Sequence, residues 1–525
     1  MISYTSFAFF IIYFGITYVV YSLMPQKAKW WVLLVGSYVF YFVSAKGHVV
    51  SIILSTLSIW LVGLLIQKIN DSFKLKRKEL EKDERKLLKQ QCKKKKSLIL
   101  AIGVIFNIGI LLVLKYANFF IDTTNLLFGS DLANVSFVQP LGLSFYTLQA
   151  ISYIVDVNRG KYEAQKNGFK LALYLSFMLT VVEGPVARYD DLSSQLYEGK
   201  RNNAHNLVYG AQRVVWGLFK KIVIADRAAE FVSAVFDNSG DYAGFAVVGA
   251  IMLYTLQLYC EFSGVMDVMC GLAEMLGIRL PENFNRPFFA KTINEFWQRW
   301  HISLGSWLRD YIFYPISLSK GFMSLTKKTR DKFSPYYASL IPTSIALFFV
   351  WFANGFWHGS GWKYIVYGLY YYLLMMLGLF LEPVFAKICS AFKINRSAKS
   401  YNVFQIFRTF LIVNMGMLIF RADSLKQAAE MFKSIFASFD FSIFIPGSKN
   451  GFGLDIKDYI ILAVGTAVIF AVSLLSEKGI DIREKISKLP LFARFIIYLA
   501  MIFVVIIFGA YGEGYGVVDL IYANF

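Results

Sequence analysis

From Phe333 to Trp362 the chain runs for 30 residues without Asp, Glu, Lys or Arg, and after Lys363 the next such residue is Glu382. About 20 consecutive apolar residues suffice for a helix to cross a hydrocarbon core of about 30 Å. The pattern recurs along the whole chain. Apolar segments occupy approximately Ser6–Leu23, Trp30–Ala45, Val49–Ile66, Leu98–Tyr116, Val138–Val157, Leu171–Val186, Leu207–Phe236, Ala243–Phe262, Trp300–Leu318, Ala338–Trp357, Tyr364–Leu381, Val403–Phe420, Tyr459–Leu475 and Leu491–Gly509. Several contain Gly, Pro or charged residues and read as re-entrant or interfacial. The expectation is an all-α polytopic integral membrane protein with roughly eleven to thirteen transmembrane helices. The first segment lacks a basic leader and a small-residue cleavage site, so it reads as a retained span.

A soluble chain of 525 residues would divide into domains with polar surfaces. With 57% apolar and only 17% charged residues, one membrane domain accounts for nearly all of this one. The four cysteines lie far apart, with neither the close pairs of a zinc site nor a dense disulfide pattern. The net charge of +19 is concentrated: Lys68–Lys96 holds thirteen Lys or Arg against five Asp or Glu. Such a run reads as a cytoplasmic, partly helical, solvated loop under the positive-inside rule, with docking of an acidic partner or anionic lipid as the functional alternative. No motif supports nucleic-acid binding.

Charge sidedness gives a topology. If Lys68–Lys96 is cytoplasmic, the next connection, Asp122–Val138, is external, and it contains no Lys or Arg. Arg159, Lys161 and Lys166 then return to the inside, and Lys320–Lys332 is again basic. Basic loops flank the charge-free hairpin on both sides, which puts its turn, "ANGFWHGSGW" (Ala353–Trp362), on the outer side. The chain has only four histidines, and His358 sits in that turn. Gly355, Gly359 and Gly361 permit irregular backbone or close approach by another group. An ionisable side chain at membrane depth is a functional candidate, against the plainer reading of an interfacial histidine satisfied among aromatics.

A second stretch, "NRPFFAKTINEFWQRWHISLGSWLRDYIFYPI" (Asn285–Ile316), is dense in charge and Trp. It contains Trp297, Arg299, Trp300, His301, Arg309 and Asp310. Taken alone it reads as an aromatic belt with snorkelling arginines, or as a cluster along an internal polar passage.

Together, "FWQRWHISLGSWLRDYIFYP" and "FWHGSGW" resemble the two signature regions of the membrane-bound O-acyltransferase family. "PLGLSFYTLQAISYIVDVNRG" (Pro140–Gly160), "GLFKKIVIADR" (Gly217–Arg227), "FSGVMDVMCGLAEMLGIRLPENFNRPF" (Phe262–Phe288) and "FRADSLKQAAEMF" (Phe420–Phe432) resemble further family segments in the expected order. The resemblance implies a division into N-terminal helices with the basic loop (1–97), a catalytic core (98–435) and C-terminal helices (436–525). It also implies a fold enclosing a tunnel or funnel through a locally thinned membrane, and an acyl group moved from a thioester donor to a hydroxyl. His358 would be the catalytic residue, with His301 along the same path. Without a thin core the two would not meet, since charge sidedness puts them on opposite faces.

The residue types suit that chemistry. A hydroxyl attacking a thioester needs a proton acceptor, and imidazole titrates near ambient pH. His358 reads as general base, and His301 as the group that orients the acceptor or stabilises charge on the carbonyl oxygen. A covalent route through Ser360 lacks a G-x-S-x-G elbow, so direct transfer is favoured. Arg299, Arg309 and Asp310 read either as donor-phosphate contacts or as ion pairs in the tunnel wall. Asn354 sits one turn before His358 and would orient its ring; Trp357, Trp297 and Trp300 complete the expected wall. Glu261 and Asp267 should pair with a buried Arg. Glu183, in "VVEGPVARY" (Val181–Tyr189), stands where family members more often have a small residue. His48 and His205 match nothing in the family and read as loop or interface residues.

The resemblance implies no tightly bound cofactor and no metal. It implies an acyl thioester donor, acetyl-CoA or an acyl carrier protein, engaged from the cytoplasmic side, with Lys68–Lys96 as a docking surface. The acceptor would be a polysaccharide or an extracellular acyltransferase partner, and the setting the bacterial cytoplasmic membrane with its lipids. Two branches compete: polysaccharide O-acetylation of the alginate type, favoured by the tail "YGEGYGVVDLIYANF", and D-alanyl transfer toward teichoic acid. A transporter or channel without chemistry would also use broken helices and intramembrane carboxylates. It leaves the two histidine segments unexplained.

Overall fold

The computed structural model describes residues 9–200, 203–437, 452 and 454–511. The tail "YGEGYGVVDLIYANF" lies, after Tyr511, outside the described residues, as does the start of the first apolar segment. Among the described residues every regular element is a helix, and the only extended pairing is an isolated bridge between Phe284 and Trp300. By length and composition, eight helices among the described residues can cross a membrane: Val50–Lys76, Lys82–Phe128, Phe245–Met275, Pro335–His358, Trp362–Ala391, Lys399–Arg421, Ile456–Glu477 and Leu491–Phe508. The chain is an all-α, multi-pass membrane protein.

The other apolar runs take shorter or interrupted forms, for local reasons. The run through Leu207–Phe236 becomes Ala204–Leu218, a π-helical stretch Phe219–Ala225 and Asp226–Asp237, with Lys220 and Lys221 buried inside it. The run from Trp300 to Leu318 becomes Ile302–Leu308, a π-helical turn Arg309–Phe313 and Tyr314–Ser317. Such π insertions widen the helix by a residue and re-aim side chains, often at functional sites. The run Leu171–Val186 is helical only to Ser176, and the irregular backbone after it is buried in protein, the one setting where such backbone is tolerated at membrane depth.

The described residues fall into two compact units, one within 1–211 together with 269–281, the other within 212–268 together with 282–521. In the first, helix Leu143–Arg159 is buried along nearly its whole length and packs against Val50–Lys76 and Lys82–Phe128. Its burial takes in polar side chains too, Ser144, Thr147, Gln149, Ser152 and Asp156, so it is a core helix by position. The Lys82–Phe128 helix begins with a capping box, Glu81 and Glu84, and ends at Gly129 in the left-handed conformation. Asn107 bridges the helices by donating to Ser58 Oγ at 2.9 Å. Most of the basic loop is therefore the facing ends of two helices. Glu183 lies fully buried in this unit, and His48 and His205 are exposed on it.

In the second unit, helices Pro335–His358 and Trp362–Ala391 form a hairpin around a short turn. They cross backbone to backbone: a Cβ on Gly355 would collide with the Tyr364 carbonyl oxygen, and one on Gly368 with that of Trp351. Lys399–Arg421 packs on the second arm, where Tyr371 donates to Val413 O at 3.1 Å and Tyr370 to Ile412 O at 2.8 Å. Charges buried in this unit are paired. Asp267 meets Arg213 at 2.9 Å and Lys220 at 2.7 Å, whereas Glu261 meets a lysine, Lys221, at 3.6 Å in place of the expected arginine. Both lysines come from the π-helical stretch, Lys220 sharing Asp267 with Arg213 and Lys221 reaching Glu261.

Candidate active site

His301 is held by an unusual piece of backbone. Thr292 caps helix Ile293–Arg299 by accepting from Glu295 N at 3.1 Å, and the helix ends at Trp300 in extended conformation. His301 then adopts φ 50° and ψ 50°, the left-handed region, before helix Ile302–Leu308 begins. A non-glycine residue there carries strain and persists only where its surroundings fix it. The surroundings are the segment 283–285. Ile302 N donates to Asn283 O at 3.1 Å, Ser303 N to Asn283 Oδ1 at 2.9 Å, and Asn285 N to Arg299 O at 2.9 Å. Asn283 is itself buried, with its Nδ2 donating to Met266 Sδ at 3.0 Å. These bonds aim the imidazole inward, against Phe262 at 4.8 Å between ring centroids.

His358 arrives from the hairpin. It is the last residue of its helix, and Trp351, Asn354 and His358 fall on one face at i, i+3 and i+7. Its ring sits edge-on to Tyr367 at 5.8 Å and to Phe420 at 5.4 Å. Phe420 opens the "FRADS" stretch, which thereby walls the site from a third helix. Trp357 lies against both imidazoles, 5.8 Å from His301 and 5.1 Å from His358.

Both histidines are nearly inaccessible from outside the protein, at 2% and 3% exposure, and both line one cavity of about 420 Å³. Trp297, Trp300, Arg309, Trp351 and Asn354 line it too. Two buried polar atoms on its wall, Trp297 Nε1 and Asn354 Oδ1, have no hydrogen-bond partner among the described residues. Buried polar groups are nearly always bonded, so a donor and an acceptor left open in one chamber fit a polar guest. No Asp or Glu is among the lining residues.

The remaining expected site residues lie off this wall. Arg299 points to Glu295 at 2.8 Å and Glu477 at 3.1 Å; partial burial opposes its charge, but these carboxylates hold the guanidinium above its ordinary range. Asp310 pairs with Arg309 at 3.1 Å. Ser360 is exposed in the hairpin turn and does not line the cavity. Asn283 and Trp351 were not legible as site residues. Trp351 could have been found from its helical spacing to His358; Asn283 carries no local signal, because its partners lie on the far side of a turn and a helix. Among the described residues no group of three or more His, Cys, Asp or Glu is placed to hold a metal ion.

Residues 167–327 match the family model described as MBOAT, membrane-bound O-acyltransferase family. Those residues therefore carry a match to the MBOAT domain. The matched range contains His301 and stops short of His358. Among curated proteins, the chain is 34% identical over 348 residues to a probable alginate O-acetylase of Azotobacter vinelandii, covering 66% of this chain and 64% of that one. It is 29% identical over 367 residues to a peptidoglycan O-acetyltransferase of Helicobacter pylori, covering 65% of each. It is also 29% identical over 292 residues to a teichoic acid D-alanyltransferase of Bacillus subtilis, covering 54% of this chain and 69% of that one. The chain thus spans just under two thirds of the length of the Azotobacter relative. The matched range thus contributes His301 to the cavity, and the hairpin beyond it contributes His358.

Proposed function

We propose that this protein transfers an acetyl group from a cytoplasmic thioester donor to a hydroxyl of a cell-surface polysaccharide, or of a partner protein that completes the transfer outside, in a bacterial cytoplasmic membrane. The observation that carries the reading is the single cavity lined by His301 and His358. His358 accepts the proton of the attacking hydroxyl as the new C–O bond forms. The carbonyl oxygen gains charge in the tetrahedral intermediate, and the neutral His301 ring donates a hydrogen bond to it. The C–S bond then breaks, and the proton held by His358 passes to the departing thiolate. No covalent enzyme intermediate is needed, in keeping with the exposed position of Ser360.

Acetyl is favoured over D-alanyl by the cavity wall. A D-alanyl group brings an ammonium, and an unpaired charge against a mostly apolar wall is costly. The lining offers no carboxylate, and its one cation, Arg309, is already matched by Asp310. The neutral acetyl group meets no such penalty. The alginate and peptidoglycan relatives named above as O-acetylase and O-acetyltransferase agree with this choice.

The test replaces His358 with Gln in cells carrying no other copy and measures acetate released by mild base from isolated surface polymer. Loss of a general base costs about 10²–10⁴ in rate, so released acetate should fall close to background. Unchanged acetate at normal protein level removes His358 from its role. Base-labile D-alanine that disappears in the variant, with acetate untouched, assigns the chain to D-alanyl transfer.

A further inference from the structure

The first unit contains a second cavity, of about 700 Å³, that the acyl-transfer reading does not use. It lies between the end of helix Val50–Lys76 and the start of Lys82–Phe128, closed by the turn after helix Leu143–Arg159. Its lining includes seven cationic side chains and one carboxylate, Glu163. Three of the cations are balanced. Lys161 meets Asp190 at 2.7 Å, Arg159 meets the buried Asp156 at 3.4 Å, and Lys74 approaches Glu163 at 3.8 Å. The other four, Arg77, Lys89, Lys93 and Lys96, have no carboxylate within 4.0 Å among the described residues. Lys96 donates instead to Asn70 Oδ1 at 2.9 Å and Asn158 O at 3.3 Å, which holds its ammonium in the groove wall. Helix C-termini attract cations, but each carries only about half a charge, so the helix ends here leave most of this excess unmatched.

The height of the groove along the helices says what would balance it. Immediately after Lys96 and Ser97 the same helix turns outward-facing and apolar, with Leu98, Ile102 and Ile105 each more than half exposed. On the neighbouring helix Leu61 and Leu65 are similarly exposed, and the first cation of the groove, Lys74, follows within three turns. Exposed apolar side chains on a membrane helix face lipid tails, so the groove opens at the headgroup layer. We propose that it is a binding site for the phosphate headgroup of an anionic phospholipid, its acyl chains lying along the exposed leucines and isoleucines below. The assignment is independent of the acyl-transfer reading.

Native mass spectrometry of the full chain, purified from mixed phosphatidylglycerol and phosphatidylcholine, tests it. Wild type should retain phosphatidylglycerol preferentially at low salt. Each lysine near an anionic surface contributes about a five-fold preference, so Lys89→Gln with Lys93→Gln should weaken retention about 25-fold. Both lysines are exposed, so thermal stability should not change, and Arg at both positions should preserve retention. Undiminished retention in the Gln variant, or equal loss in the Arg variant, overturns the proposal. So does binding of inorganic pyrophosphate, or salt-sensitive capture of an acidic carrier protein, by a chain that shows no preference for phosphatidylglycerol.

Discussion

Replacing Asn283 with Ala probes how the left-handed His301 is maintained. The substitution removes two side-chain bonds, the weak one from Asn283 Nδ2 to Met266 Sδ at 3.0 Å and the one from Ser303 N to Asn283 Oδ1 at 2.9 Å, and the second loss leaves a buried N–H without its acceptor. That costs about 1–3 kcal/mol. The left-handed conformation at His301 itself costs about 1–2 kcal/mol, so the lost bond is of the same size as the strain it holds. Once it is gone, relaxation of His301 to φ below zero becomes competitive, and the ring swings away from the cavity. At 1.36 kcal/mol per decade, transfer should fall about 10- to 100-fold. The bridge between Phe284 and Trp300 and the bond from Ile302 N to Asn283 O are made by backbone and survive, so the chain should still fold. The assay is base-released acetate per molecule of protein, alongside melting temperature in detergent. An Asn283→Ala protein with full transfer, when His301→Ala has lost it, would refute the idea that this side chain sets the histidine.

Three other substitutions separate function from framework. Asn354→Leu removes a buried oxygen that has no partner among the described residues, so stability should hold or rise, while transfer falls about ten-fold or more if that oxygen receives the guest; melting curves and acetate release measured together decide it. Gly368→Val drives a side chain into the Trp351 carbonyl and the Gly355 backbone, and should destabilise by about 1–3 kcal/mol or more, seen as a lower melting temperature with parallel loss of activity. Asp267→Asn leaves Arg213 and Lys220 facing each other with one negative charge fewer, a loss of about 3–5 kcal/mol that expression level and thermal unfolding would register; an unchanged melting temperature would show that Glu282, at Arg213, suffices.

The sequence by itself determined the solvent and the raw materials. Charge-free runs longer than a bilayer is thick admit one kind of backbone, and the two histidine-bearing stretches stand out because ionisable side chains are scarce around them. That much is local: each helix reports its own environment through its own residues. What the structure decided is which polar groups meet. The left-handed turn at His301 depends on Asn283, the seat of His358 on a glycine crossing with the next helix and on Phe420 from a third, and the basic loop becomes a groove only when the turn after Arg159 closes it. Such convergence rests on contacts between segments distant in the chain, and hydropathy carries no record of them. The same blindness hid the fate of the shorter apolar runs, since length and composition do not reveal whether a segment crosses lipid or bends back into protein.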